Sequence, residues 1–373
     1  MTRRKPRTTL LVALPLLLLW GPSLTSFGAP TLAPMGPGDS ELEHGLRDEI
    51  ERLRNRIEAP AFSNEMAPQE SRRVTTLLRG CEEALDGGET LAGVRRLAPA
   101  RLAVERVRYQ VEYRDVKDQD ELERRCAEAL EEALEVAAES SASPRPASVQ
   151  ALIEVSDGRA GRYITSAAFQ GAATRLANGI YYLSLGRSYA SLSGFVRSLT
   201  CTIPSNPVRS LPGLAGYLDR LDADLVELYQ PPISISRHPE FIATSATLKL
   251  ARQLFEEDAI LGSLELALET RTGLGRLHDR GQVDVEWLQE SLEDHAGEIS
   301  TSEVDHSLGA LLVGRAENFL GEIDDPDAPE SHGEVAVLLA EALPEYFACF
   351  TDGSDHELEP AEVTVTLVRW PFT

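Results

Sequence analysis

The residue most like a nucleophile is Ser188, in Gly186-Arg187-Ser188-Tyr189-Ala190. It follows the apolar run Ile180 to Leu185 and precedes a helical pattern, the order in which a strand-to-helix elbow exposes a serine. Ala190 stands where that elbow calls for a second glycine, and its Cβ would crowd the turn. His278, His295 and His306 could each supply a base, yet nothing selects one of them. The flanking segments do not alternate strand and helix. The sequence therefore favours Ser188 as a small residue packed between helices, with a serine hydrolase as the alternative.

Metal chemistry has two weak candidates. Glu41-Leu42-Glu43-His44 and Glu303-Val304-Asp305-His306 both contain Glu-x-x-His. On a helix that spacing sets carboxylate and imidazole on one face, as carboxylate-bridged di-metal sites require. Seven histidines in an acidic chain give such matches by chance, so solvated helix faces are the simpler reading of Glu303 and His306. Asp352 and Asp355, with Glu357 and Glu359 around Gly353, offer oxygen ligands without the spacing of an EF-hand. A solvated acidic loop is favoured there over a calcium site. His-Glu-x-x-His is absent, and so is a phosphate-binding Gly-x-x-x-x-Gly-Lys-Ser/Thr loop. No cofactor is expected, with a divalent metal as the alternative.

Charge narrows the partners. The 373 residues carry 36 Lys+Arg against 60 Asp+Glu, a formal charge of −24. Nucleic-acid binding needs clustered cations to neutralise phosphates, so it is excluded as an expectation. Arg3, Arg4, Lys5 and Arg7 precede the apolar stretch Leu10 to Trp20, and Ser26-Phe27-Gly28 offers small residues for a signal peptidase. Cleavage after Gly28 removes four positive charges and no negative ones, giving −24 − 4 = −28. The alternative is an uncleaved N-terminal anchor, although Pro15, Gly21 and Pro22 interrupt the apolar stretch. No later segment approaches the roughly 20 apolar residues of a membrane span. Cys81, Cys126, Cys201 and Cys349 permit two disulfides in an exported chain, with free buried thiols nearly as well supported.

The elements that must position these residues are helical. Leu42, Leu46, Ile50, Leu53 and Ile57 form one stripe, closed by Pro60. Val74, Leu77, Leu78, Cys81 and Leu85 form another, stopped by Gly87-Gly88. Over 89–116 a helical stripe (Leu97, Ala100, Val104, Val107, Val111) competes with a strand-like alternation (Val107, Tyr109, Val111, Tyr113), and the longer helical pattern is preferred. Leu122, Cys126, Leu130 and Leu134 mark a helix over 119–138, and Ser141 to Ser148 reads as a linker. The less charged, small-residue stretch 148–200 suggests closely packed helices. Helical patterns follow at 214–229, at 239–272 with a break near Asp258, and at 284–296, 306–322 and 333–349. Val363, Val365, Leu367 and Trp370 suggest a terminal strand.

Two hints of repetition lead nowhere. Arg79 to Leu85 echoes Arg124 to Leu130, without a third copy. Leu185-Gly186 followed by Tyr189 resembles part of a tetratricopeptide signature, but Ser198, Thr202 and Ser205 occupy the downstream positions where its small residue and proline belong.

The expected architecture is thus all-α or nearly so, a multi-helix bundle or irregular array with a short C-terminal strand. The segments are a signal peptide (1–28), a flexible lead-in (29–40), charged amphipathic helices (41–142), a less charged helical region (143–232) and a C-terminal helical region (233–373). The expected role is non-catalytic: an exported protein, periplasmic or extracellular, that binds or scaffolds another envelope or extracellular protein. A secreted enzyme and a small-ligand binder using 148–200 are the alternatives.

Overall fold

The computed structural model describes residues 39–138, 144–201, 204–228, 237–277, 284–321 and 331–351. Among the described residues every regular element is helical. The strand expected at 363–370 lies outside them, as do Asp352 and Asp355. In chain order the helices are α1 (Asp39–Glu58), the single turn α2 (Pro60–Ser63), α3 (Pro68–Asp86), α4 (Thr90–Glu112), α5 (Gln119–Ala138), α6 (Ala147–Ala173) and α7 (Leu176–Ser198). They continue as α8 (Leu214–Leu228), α9 (His238–Glu256), α10 (Ile260–Leu277), α11 (Val285–Thr301), α12 (Ser307–Gly321) and α13 (Ser331–Ala348).

Local chemistry explains the boundaries. At the end of α3, Gly88 takes φ +79°, a backbone conformation that costs glycine nothing. Its N–H donates to the Leu85 carbonyl (3.0 Å) and that of Glu89 to Ala84 (2.8 Å), which satisfies the last carbonyls of the helix. The break expected near Asp258 has the same geometry: Asp258 sits at φ 60°, and Ala259 N–H donates to the Leu254 carbonyl at 2.9 Å. The segment 90–112 is a single helix running through Pro99. Val107, Tyr109 and Tyr113 are buried while Val111 is exposed, so the strand-like alternation has no common face.

The stripe on α1 is buried at every expected position, from Leu42 to Ile57. With α3, α4 and parts of α6 and α7 it forms one core. A second core joins α6 to α8, α9 and α10, with side chains from α12 and α13. Helix α6, 27 residues long, therefore stands between the two. Its contact with α7 is backbone-close, because a Cβ on Gly179 would lie 2.7 Å from the Ala167 carbonyl oxygen and 2.8 Å from Gly171 Cα. That is the physical use of the small residues in 148–200. The N-terminal donors of α6 are satisfied from far along the chain. Asp305 Oδ2 accepts from Ala147 N–H at 2.6 Å, and Ser307 Oγ accepts from Ser148 N–H at 3.0 Å. No helix among the described residues is long and apolar enough to cross a membrane.

Candidate functional site

Three helices each present a triplet at helical spacing to one cleft, two of them charged and one neutral. Helix α1 contributes Glu49, Arg52 and Arg56, beside its apolar stripe. Helix α4 contributes Arg101, Glu105 and Arg108, and α7 contributes Ser191, Phe195 and Ser198. Residues spaced three, four and seven apart share a helix face, so each triplet is a single edge. The cleft has a volume of about 420 Å³ and opens to solvent.

Its floor is an alternating chain of charges. Glu49 accepts a forked pair of bonds from Arg52 Nε and Nη2, both at 2.6 Å, and a further bond from Arg101 Nη1. Glu105 accepts from Arg52 Nη2 (3.2 Å) and Arg56 Nη1 (2.8 Å) on one oxygen and from Arg108 Nε (2.5 Å) on the other. Both carboxylates are buried, at 7 % and 3 % side-chain exposure. Burial alone would raise the Glu105 carboxyl, but Arg108, Arg101 and Arg56 together hold it below the ordinary glutamate value. Arg101 lies under the ring of Phe195, 4.5 Å from its centroid, and its Nη2 donates to the carbonyl and hydroxyl of Ser191. Its buried Nε has no hydrogen-bond partner among the described residues, and burial brings its pKa down to about 10.

The charges do not balance. Four guanidinium groups against two carboxylates leave 4 − 2 = +2 among the lining residues. Glu112 sits on the rim, 3.7 Å from Arg108 Nη1, and offsets one of these. Arg56 alone of the four lies in the last turn of its helix, where the partial negative charge of the C-terminus favours a cation. That does not satisfy their donors. Among the described residues Arg52 Nη1, Arg56 Nη2 and Arg108 Nη2 make no hydrogen bond, and these three side chains are 32 to 39 % exposed. Burial, with repulsion from Arg52 and Arg108, holds Arg56 below its ordinary value despite Glu105. The arrangement can donate several charge-assisted hydrogen bonds to an incoming oxyanion.

The residues singled out from sequence lie elsewhere. Ser188 is in the middle of α7, fully buried, with its hydroxyl donating to the Ser184 carbonyl at 2.6 Å. The turn that the alternative elbow reading needs is absent here, because Leu176–Ser198 is one continuous helix closed against α6. Glu303 is exposed in the connection between α11 and α12, so Glu303 and His306 do not share a helix face. The His306 ring is buried against Tyr346, Phe347 and Phe350, with Nδ1 2.9 Å from the Tyr346 hydroxyl. Burial keeps its pKa below the ordinary histidine value. Among the described residues no three His, Cys, Asp or Glu side chains are grouped to hold a metal ion. Cys81, Cys126 and Cys349 are buried and form no disulfide among the described residues, and burial pushes the Cys81 and Cys349 thiols up to about 12. In the region favoured for a small ligand, Arg159, Tyr163, Leu185 and Tyr189 line a slot of about 50 Å³. That is room for a water or two, well below the usual several hundred Å³ of a ligand pocket.

No protein family, curated protein or solved structure matches the chain.

Proposed function

We propose that this chain is an exported, non-catalytic helical scaffold that binds a partner protein of the envelope or extracellular space, with the arginine cleft of α1, α4 and α7 at the centre of the docking surface. The observation that carries this reading is the cleft itself: an open, cationic site with unengaged arginine donors on a chain of net charge −24. Isolated surface arginines need no explanation, but four converging on one concavity focus a positive field. The helices behind the cleft are fixed by a continuous core, so the donors are held in place. Export rests on the basic and apolar pattern of residues 1–28. It predicts a mature chain that begins at Ala29, read by N-terminal mass spectrometry.

The test is capture of the tagged mature chain from its native source, with cross-linking and mass spectrometry. A stoichiometric protein cross-linked around the cleft, and lost when Arg56 and Arg108 are both changed to Glu, supports the reading. A partner attached elsewhere, or one indifferent to the double charge reversal, contradicts it.

A further inference from the structure

We infer that the cleft takes the carboxylates of a short acidic segment of its partner, gripped by Arg56 and Arg108 with Arg52 alongside. This rests on the reading of the cleft as the docking surface and adds the chemistry of what enters it. Glu105 is the anchor of the grip. Its two oxygens are held from opposite sides, by Arg56 and Arg52 on one and by Arg108 on the other, so this buried carboxylate fixes the guanidinium groups in place. Each of these arginines spends only part of its fork on that task. Arg56 uses Nη1 and Arg108 uses Nε, which leaves the Nη2 groups of both without a partner among the described residues. Guanidinium forks pair with carboxylate oxygens in two parallel bonds, as Arg52 does with Glu49 in the same cleft.

Charge sets the size of the ligand. A surplus of two, or one with Glu112 counted, matches one or two carboxylates and not a long polyanion. A polyanion would also extend over a chain whose net charge is −24. The third wall is neutral, formed by Ser191, Phe195 and Ser198. It offers an aromatic edge and hydroxyls to the peptide that carries those carboxylates. The volume, about 420 Å³, admits a few side chains. Phosphate is the competing oxyanion. The two helix ends at this cleft, those of α1 and α7, are C-terminal and do not supply the N–H groups that cradle phosphates elsewhere.

The experiment titrates the full mature chain by calorimetry with three probes at low salt. They are a blocked Gly/Ser peptide carrying two glutamates, the same peptide with glutamines, and inorganic phosphate. The glutamate peptide is expected to bind saturably and at least about tenfold more tightly than the other two, since charge-assisted bonds carry the difference. Arg56→Gln and Arg108→Gln should each weaken it about five- to tenfold. Arg54→Gln, which removes a surface partner of Glu82 on the same helix, should leave it unchanged. Thermal unfolding of each variant checks that the fold is retained. Equal binding of the two peptides, no binding at all, or no loss in either cleft variant overturns the inference. Tighter binding of phosphate overturns it too and assigns the cleft to phosphorylated ligands. Partner capture that maps to the cleft while the glutamate peptide fails leaves the docking reading standing without this chemistry. Peptide binding without a captured partner does the reverse.

Discussion

Two sets of arginine–glutamate contacts lie in this molecule, and they are built differently. In the seam between the two large cores, Arg95 of α4 holds Glu265 of α10 by a forked pair at 2.5 and 2.8 Å, and Arg159 of α6 holds Glu269 of α10 at 2.7 and 2.9 Å. Each arginine forks onto one carboxylate, and side-chain exposure is between 5 and 16 %. Facing Glu269, Arg159 is held firmly charged, with its pKa above the ordinary arginine value although burial opposes it. In the cleft the ratio is four to two, and Arg52, Arg56 and Arg108 each keep about a third of the side chain in solvent. Identical residue types are thus arranged in two ways: a sealed forked pair closes an interface, and an open cluster leaves guanidinium donors facing solvent.

The sharpest way to break this comparison is to unbalance the seam. Arg159→Ala leaves Glu269 buried and unpaired, and should cost about 3–5 kcal/mol in denaturant unfolding. Replacing the pair together, Arg159→Met with Glu269→Leu, should recover much of that loss. Next in size is Glu105→Gln, which removes the charge that holds three arginines together. A cost of about 1–3 kcal/mol is expected from the weakened charged hydrogen bonds.

The same substitution tests the pH linkage. The folded pKa of Glu105 lies below the ordinary value of 4.5, so its stabilising contribution is complete above that value and is lost as pH falls through the folded pKa. Wild type should therefore lose stability on acidification below about pH 4.5 more steeply than Glu105→Gln, read from unfolding midpoints across that range. A parallel loss in both proteins would remove Glu105 from the account.

Smaller still is the effect of the outer arginines on stability. Arg56→Gln and Arg108→Gln should each shift it by no more than about 1 kcal/mol, because the side chains are a third exposed and Glu105 keeps its other partners. Ligand binding should fall in these same variants, the opposite of the seam, where stability falls first. Salt gives the mildest contrast. Raising it from 0.05 to 0.5 M should weaken binding at the open cleft and leave the sealed seam pairs almost unaffected, because exposed charges are screened and buried ones much less so.

Much of the framework was legible in the residues because it rests on local chemistry. The stripe Leu42 to Ile57, the Gly87-Gly88 stop and the break at Asp258 follow from periodicity and from backbone conformations that few residues adopt. The small residues of 148–200 pointed to close packing, which Gly171 and Gly179 deliver. The cleft was not legible as a site. Glu49, Arg52 and Arg56 look like an ordinary solvated edge of an amphipathic helix, and only the fold sets them opposite α4 and α7. In α4 too, Arg101, Glu105 and Arg108 follow the buried Ala100, Val104 and Val107 as an ordinary polar edge would. Ser188 was legible as a packed residue, with the elbow as the alternative. Glycine two residues before serine suits a tight turn, but it also suits two helices in backbone contact, and here a Cβ on Gly186 would fall 2.9 Å from the Ile164 nitrogen.

The central claim is that the cleft arginines meet a ligand and the seam arginines do not. The most direct measurement follows the arginine Nε–Hε resonances of the ¹⁵N-labelled chain during titration with the two-glutamate peptide, assigned by single Arg→Lys variants. The account predicts saturable shifts at Arg52, Arg56, Arg101 and Arg108, with Arg95 and Arg159 unmoved. Shifts spread evenly over surface arginines, or none at the cleft, would contradict it.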